Sequence, residues 1–156
     1  MTTQPNTSQA SMPHAMSNQF LPEFNLQPDE YGWTGRFPGG PHCLFGKEIS
    51  LEIHTRSLRT RPKVLPPVSA SQAALVSAIT PELPTILKRV EEELTAYNRK
   101  YDAGFKEFVR DPHVWLSCES EDGTSWTFVV ERIDSPDFGY HAEFKGTKFI
   151  ELWAGD

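Results

Sequence analysis

Residues 83–101, LPTILKRVEEELTAYNRKY, have the most regular pattern in the chain. Apolar side chains recur there at every third or fourth position, which is the repeat of one face of an α-helix. The opposite side, from Lys88 to Glu93, is mostly charged. The pattern therefore predicts a long helix that buries one side, with Gly104 as its stop. The apolar side consists of Leu83, Ile86, Leu87, Val90, Leu94, Tyr97 and Tyr101.

A shorter helix is predicted immediately before this segment. Ser69 and Gln72 have the spacing of a capping box, in which each side chain accepts a hydrogen bond from the backbone of the other residue. Thr80 and Pro81 then kink or restart the helix, because Thr can cap a helix and Pro suits its first turn. We therefore expect one long, kinked helical block.

Six segments predict strands, most of them because apolar and polar side chains alternate. The clearest is KEISLEIH, residues 47–54, in which Ile49, Leu51 and Ile53 face one way. A weaker one, interrupted by glycines, spans 31–37. Four more follow the helices, and the short connections between them favour an antiparallel meander. These four are residues 114–118, 126–131, 140–144 and 149–153.

The predicted fold class is α+β, with the element order β-β-α-α-β-β-β-β. A mainly antiparallel sheet of five to six strands carries the long, kinked helix on one face. Aromatic residues make up 12% of the 156 residues, enough to fill the core of one domain of this size. We expect residues 20–156 to form this single domain. Residues 1–19 contain no Asp, Glu, Lys or Arg and few large apolar side chains, so we expect a flexible polar tail.

Charge and composition exclude several classes of function. A net charge of −6 at pH 7 does not favour binding to a phosphate backbone, so we expect no nucleic-acid partner. No run of about eighteen apolar residues exists, and we expect no membrane-spanning helix. The N-terminus lacks the pattern of a secretory signal, which favours a cytoplasmic location. No phosphate loop, metalloprotease motif or EF-hand is present, so we expect no cofactor.

The two cysteines, Cys43 and Cys118, form no CxxC unit, which excludes a zinc ribbon. We expect two reduced thiols, while the spacing alone leaves a disulfide between them open.

The polar side of the strands carries one candidate for chemistry. Glu52 and His54 lie two apart on one strand, and His141 and Glu143 lie two apart on another, so each pair shares a face. If the two faces coincide and the strands are neighbours, two imidazoles and two carboxylates converge. Such a group could bind a zinc-like ion or perform acid–base chemistry. The alternative is a solvated sheet face with incidental histidines.

Two further groups are candidates for binding a protein partner. Arg56, Arg59 and Arg61 lie in a basic connector that could meet an acidic surface or pair with the acidic C-terminal part of the chain. Trp115 alternates with Val114 and Leu116, so it is predicted to lie on the side of the sheet away from the helix, and Trp153 is the second candidate there. In the alternative, the segment around Phe20, Phe24 and Trp33 covers that side.

The layout of residues 31–153 resembles that of small bacterial domains, some of which are immunity proteins that occur near toxin systems. The resemblance concerns the order of a strand pair, a helix block and a meander, and no functional residue is carried over.

The leading hypothesis is a non-enzymatic, cytoplasmic protein-interaction domain whose acidic surface attracts a basic partner. One alternative is a metal-dependent hydrolase that uses Glu52, His54, His141 and Glu143. The other is a weak homo-oligomer joined through the edge of the last strand.

Overall fold

The computed structural model describes residues 21–56, 63–65, 67–101, 110–117, 123–132 and 135–155, and for 56, 110–117, 132 and 135–137 it describes the backbone alone. Five strands precede two helices, and four longer strands follow them. The strands are β1 (Gln27–Pro28), β2 (Gly32–Arg36), β3 (His42–Leu44), β4 (Lys47–Ile49), β5 (Glu52–Arg56), β6 (Arg110–Ser117), β7 (Ser125–Arg132), β8 (Ser135–Lys145) and β9 (Lys148–Gly155). The helices are α1 (Ala70–Ile79) and α2 (Leu83–Tyr101), joined by a 3-10 turn, Thr80–Glu82, and a second 3-10 turn spans Pro22–Phe24.

Seven of the described strands form one sheet in the order β1-β2-β5-β6-β7-β8-β9. Neighbours in this sheet are antiparallel except β5 and β6, which run parallel because the helical block carries the chain from one end of the sheet to the other. The strands β6 to β9 form the predicted meander. The α+β class, the mainly antiparallel sheet and the element order are therefore confirmed. The sheet has seven described strands where five to six were expected, because the two-residue strand β1 also joins it.

The predicted strand 47–54 is divided between two sheets. β4 pairs with β3 in a separate hairpin, whereas β5 joins the main sheet after a break at Ser50 and Leu51. The N–H of Phe37 donates to the carbonyl of Leu51 at 2.9 Å, which continues the pairing just past the end of β2. Apolar and polar residues alternate in the same way before and after the break. The sequence pattern therefore could not predict that residues 47–54 are divided between two sheets.

The small β3–β4 hairpin is hydrogen-bonded to the longer helix. Its turn places Phe45 and Gly46 at positive φ, 50° and 71°, which is the geometry of a tight two-residue hairpin turn. The backbone N–H of Phe45 donates to the carboxylate of Glu91 on α2. A charged acceptor on the helix thus satisfies a backbone donor of the turn.

The helical block begins and bends where the sequence predicts. The Ser69 hydroxyl accepts from the backbone N–H of Gln72 at 3.1 Å, and the Gln72 side chain accepts from the N–H of Ser69 at 2.9 Å. The 3-10 turn that contains Pro81 then separates α1 from α2. In the described residues neither helix is long and apolar enough to cross a bilayer.

One face of the sheet packs against the helices. The buried side of α2 consists of Leu83, Ile86, Leu87, Val90 and Leu94. It lies in one core with Leu51, which precedes β5, and with side chains from the strands, including Ile53, Trp126, Phe128, Tyr140, Ala142 and Phe144. Tyr97 packs at the margin of this core, whereas Tyr101, predicted to extend the buried side, is exposed because it lies in the last helical turn.

The segment that precedes β2 packs on the core side of the sheet as well. Phe24 and Trp33 are both almost fully buried in the core. Gly35 permits this packing, because a Cβ at that position would lie 2.6 Å from the carbonyl oxygen of Phe24. Phe24 and Trp33 therefore do not cover the other face. Phe20, the predicted tail 1–19, Gly104 and Cys118 lie outside the described residues.

Candidate functional site

The face of the sheet opposite the helices is called the open face here. Glu52 and His54 lie on it because Leu51 and Ile53 point into the core, and His141 and Glu143 lie on it because their neighbours Tyr140 and Ala142 do. The strand register agrees, since Glu52, His113, Val129, His141 and Trp153 are successive backbone partners across β5 to β9. The first condition for a joint His/Glu site, a shared face, is met.

The second condition, neighbouring strands, is not met. Strands β6 and β7 lie between β5 and β8, so the two pairs are separated by three strand spacings, about 14 Å. Among the described residues no group of three or more His, Cys, Asp or Glu side chains could hold a metal ion. Glu52, His54, His141 and Glu143 therefore form two separate pairs and not one site.

The two residues on β5 are in direct contact with each other. His54 Nε2 lies 2.8 Å from Glu52 Oε2, and the His54 side chain is only 12% exposed. The carboxylate is thus the imidazole's direct partner on the same strand.

The pair on β8 belongs to a different group, called here the Trp153 cluster: Thr127, His141, Glu143 and Trp153. The indole N–H of Trp153 donates to Glu143 Oε1 at 3.0 Å, and the Thr127 hydroxyl donates to Glu143 Oε2 at 2.9 Å. The indole also stacks on the His141 imidazole, with ring centroids 3.8 Å apart and planes only 4° from parallel. Each carboxylate oxygen has a donor, and the indole is held at both its edge and its face.

Burial shapes the protonation of the imidazole in this cluster. It lowers the pKa of His141 below the ordinary value of 6.5, while the negative charge of Glu143 and a hydrogen bond to the backbone of Gly155 act in the opposite direction. Burial prevails because the stacked indole and the sheet remove water from the ring. His141 is therefore the neutral stacking partner of Trp153 at pH 7.

Trp153 remains accessible although it is held in place. Its exposed fraction is 40%, and the nearby Ile150 on the same strand is 51% exposed. Glu151, the backbone partner of Glu143, is exposed beside them. The cluster thus presents a fixed aromatic ring with carboxylates around it, an arrangement suited to binding.

The other predicted binding residues are only partly described. Arg56 ends β5, where its backbone pairs with Gly32 and Ser117, and Arg59 and Arg61 lie outside the described residues. The backbone of Trp115 pairs with His54 and Thr127. Cys43 is an exposed free thiol in β3.

The sequence did not point to Thr127 as a member of the site, and it did not reveal the stack of His141 on Trp153. Both follow from pairing across β7, β8 and β9. The short turn between β8 and β9 predicts their pairing only as far as the register shift between Glu143 and Phe144, so it could not have revealed the stack.

We compared the chain with protein-family models, curated proteins and solved structures, and none of them matches it.

Proposed function

We propose that this chain is a protein-interaction domain that binds its partner through the open face at β8 and β9, with Trp153 as the anchor. The observation that carries the proposal is an exposed indole fixed by a hydrogen bond to Glu143 and a stack on His141. Tryptophan is among the residues that contribute most to protein interfaces. An anchor that is already ordered loses little conformational entropy on binding.

Charge favours a basic partner. Glu143 and Glu151 are backbone partners two positions from His141 and Trp153, so both carboxyl groups lie near the exposed ring, and the chain as a whole carries −6. Complementary charge accelerates encounter and excludes acidic surfaces. A basic toxin held by an immunity-type domain is one form that such a partner could take, and this form, like the contribution of Arg56, Arg59 and Arg61, stays a prediction. The hydrolase alternative lacks support, because its four residues do not converge.

The proposal is tested by comparing two aromatic substitutions. The wild type, Trp153→Ala and Tyr31→Ala are immobilised and exposed to an extract of the native host. Tyr31 is the matched control, since it is 44% exposed and precedes β2, far from β9 in the strand order. We expect the wild type and Tyr31→Ala to retain the same partner in stoichiometric amount.

Titration of the purified partner should then show that Trp153→Ala binds at least about 30-fold more weakly, the loss typical of an interface anchor. Circular dichroism verifies that each variant is folded. Equal retention by wild type and Trp153→Ala, or no stoichiometric partner for the wild type, would refute the proposal.

A further inference from the structure

We propose that a second copy of this chain pairs with β9, strand against strand and about a two-fold axis, so that two sheets join into one. In the described part of the chain β9 is one of the two edge strands of the main sheet and pairs with β8 only. Its exposed side chains are Lys148, Ile150, Glu151 and Trp153. An edge strand of eight residues presents a row of backbone donors and acceptors that another strand can use.

The charged side chains of β9 favour one partner strand and one register of pairing. Lys148 and Glu151 are its only charged residues. In an antiparallel pair centred between Phe149 and Ile150, Lys148 of each copy lies opposite Glu151 of the other. Two-fold symmetry makes the match reciprocal, so one register forms two ion pairs. A pairing centred on Glu151 would instead place two carboxylates opposite each other.

A β-bulge makes this match geometrically feasible. Lys148 pairs with Lys145 and Glu151 pairs with Glu143, with the shift in register between Glu143 and Phe144. Lys145 and Glu143 are two apart on β8 and therefore lie on one face of the sheet. The extra residue in β9 thus brings Lys148 and Glu151 to the same face although they are three apart, and only side chains on one face can pair across strands.

The same register covers apolar surface. It places the 51% exposed Ile150 next to the two-fold axis, where the second copy covers part of its surface. Bulges and charges on an edge strand commonly prevent unwanted pairing. In β9 the bulge and the two charges disfavour pairing with most other strands, but they favour pairing with β9 of a second copy. The contact is small compared with the roughly 1,000 Å² of a stable interface, so we expect a weak dimer with a dissociation constant on the order of 0.1 mM.

Charge reversal in the full chain tests this pairing. Sedimentation equilibrium from about 20 μM to about 1 mM spans the expected dissociation constant. Lys148→Glu and Glu151→Lys should each weaken the dimer about tenfold or more, because either change turns both reciprocal pairs into like-charge pairs. The double variant, Lys148→Glu with Glu151→Lys, should restore dimerisation.

Two control variants change charge at exposed positions outside β9. Lys63→Glu and Glu82→Lys match the two single reversals in sign and lie outside β9. Both should dimerise as the wild type does. A wild type that stays monomeric at about 1 mM, single reversals without effect, or a double variant that stays monomeric would each overturn the pairing. None of these results bears on partner capture by Trp153, so the two proposals fail separately.

Discussion

Glu143 is the residue on which the Trp153 cluster depends. One oxygen accepts from the indole and the other from the Thr127 hydroxyl, and both donors lie on neighbouring strands. A carboxylate whose two oxygens both accept hydrogen bonds has a fixed orientation. It therefore also holds the indole that donates to it in a fixed orientation. Hydrogen bonds to charged groups are worth more than neutral ones, so the ring keeps its position even though part of it faces water.

His141 should make stability depend on pH in a defined direction. Burial lowers its pKa in the folded chain, whereas the unfolded chain keeps the ordinary value of 6.5. The unfolded state therefore takes up the proton first. The contribution of neutral His141 to stability is complete above that value and is lost as pH falls through the folded pKa.

His141→Phe is the variant for this prediction, because it keeps an aromatic ring against Trp153 and removes the titration. Urea unfolding measured between about pH 7.5 and about pH 5 covers the relevant range. The free energy of unfolding should fall more steeply with decreasing pH in the wild type than in the variant. Parallel curves would show that His141 does not contribute in this way.

At the scale of elements, the capping box is the local signal that begins the helical block. Ser69→Ala removes the acceptor for the N–H of Gln72 and should lower the free energy of unfolding by about 1 kcal/mol. Ser77→Ala is the control, because Ser77 is exposed within the same helix and alanine has the higher helix propensity. Urea denaturation compares the two. Equal stability of the two variants would contradict the role of the cap.

The elements themselves could be predicted because each depends on residues close in sequence. The spacing from Leu83 to Leu94 identifies the buried side of α2, and alternation around Ile53 and Ala142 identifies which side chains share a face. Which strands are neighbours in the sheet depends instead on pairing between residues that are far apart in sequence. Alternation is equally compatible with any strand order, so it could not reveal that β6 and β7 separate the two His/Glu pairs.

The Trp153 cluster was unpredictable for a related reason. Counting back from the turn partners Lys145 and Lys148 without a bulge would pair His141 with Leu152, a core-facing residue. The bulge in β9 shifts the register by one, and His141 pairs with Trp153. One additional residue thus decides which side chain stacks on the imidazole, and nothing in the alternation of residues 148–155 marks its position.

At the scale of the whole molecule, the two faces of the sheet differ in what they contact. The helices and the segment before β2 pack on one face of the sheet, while the other face carries Glu52, His54, Glu143 and Trp153. Among the described residues the helices cover only one face, which is common for antiparallel sheets. What distinguishes this sheet is that a fixed, exposed aromatic residue, Trp153, lies on the edge strand β9. The proposed partner surface and the proposed self-pairing edge would therefore lie side by side.

The most direct test of the binding surface is a photo-crosslinking measurement in the native host. Benzoylphenylalanine replaces Lys145, which is exposed on the open face two residues from Glu143, in one version of the chain and the exposed Tyr31 in the other, so that Trp153 stays in place. On irradiation, position 145 should give an adduct with one other protein, and position 31 should give little or none. An adduct of equal yield at both positions, or none at position 145, would contradict the account.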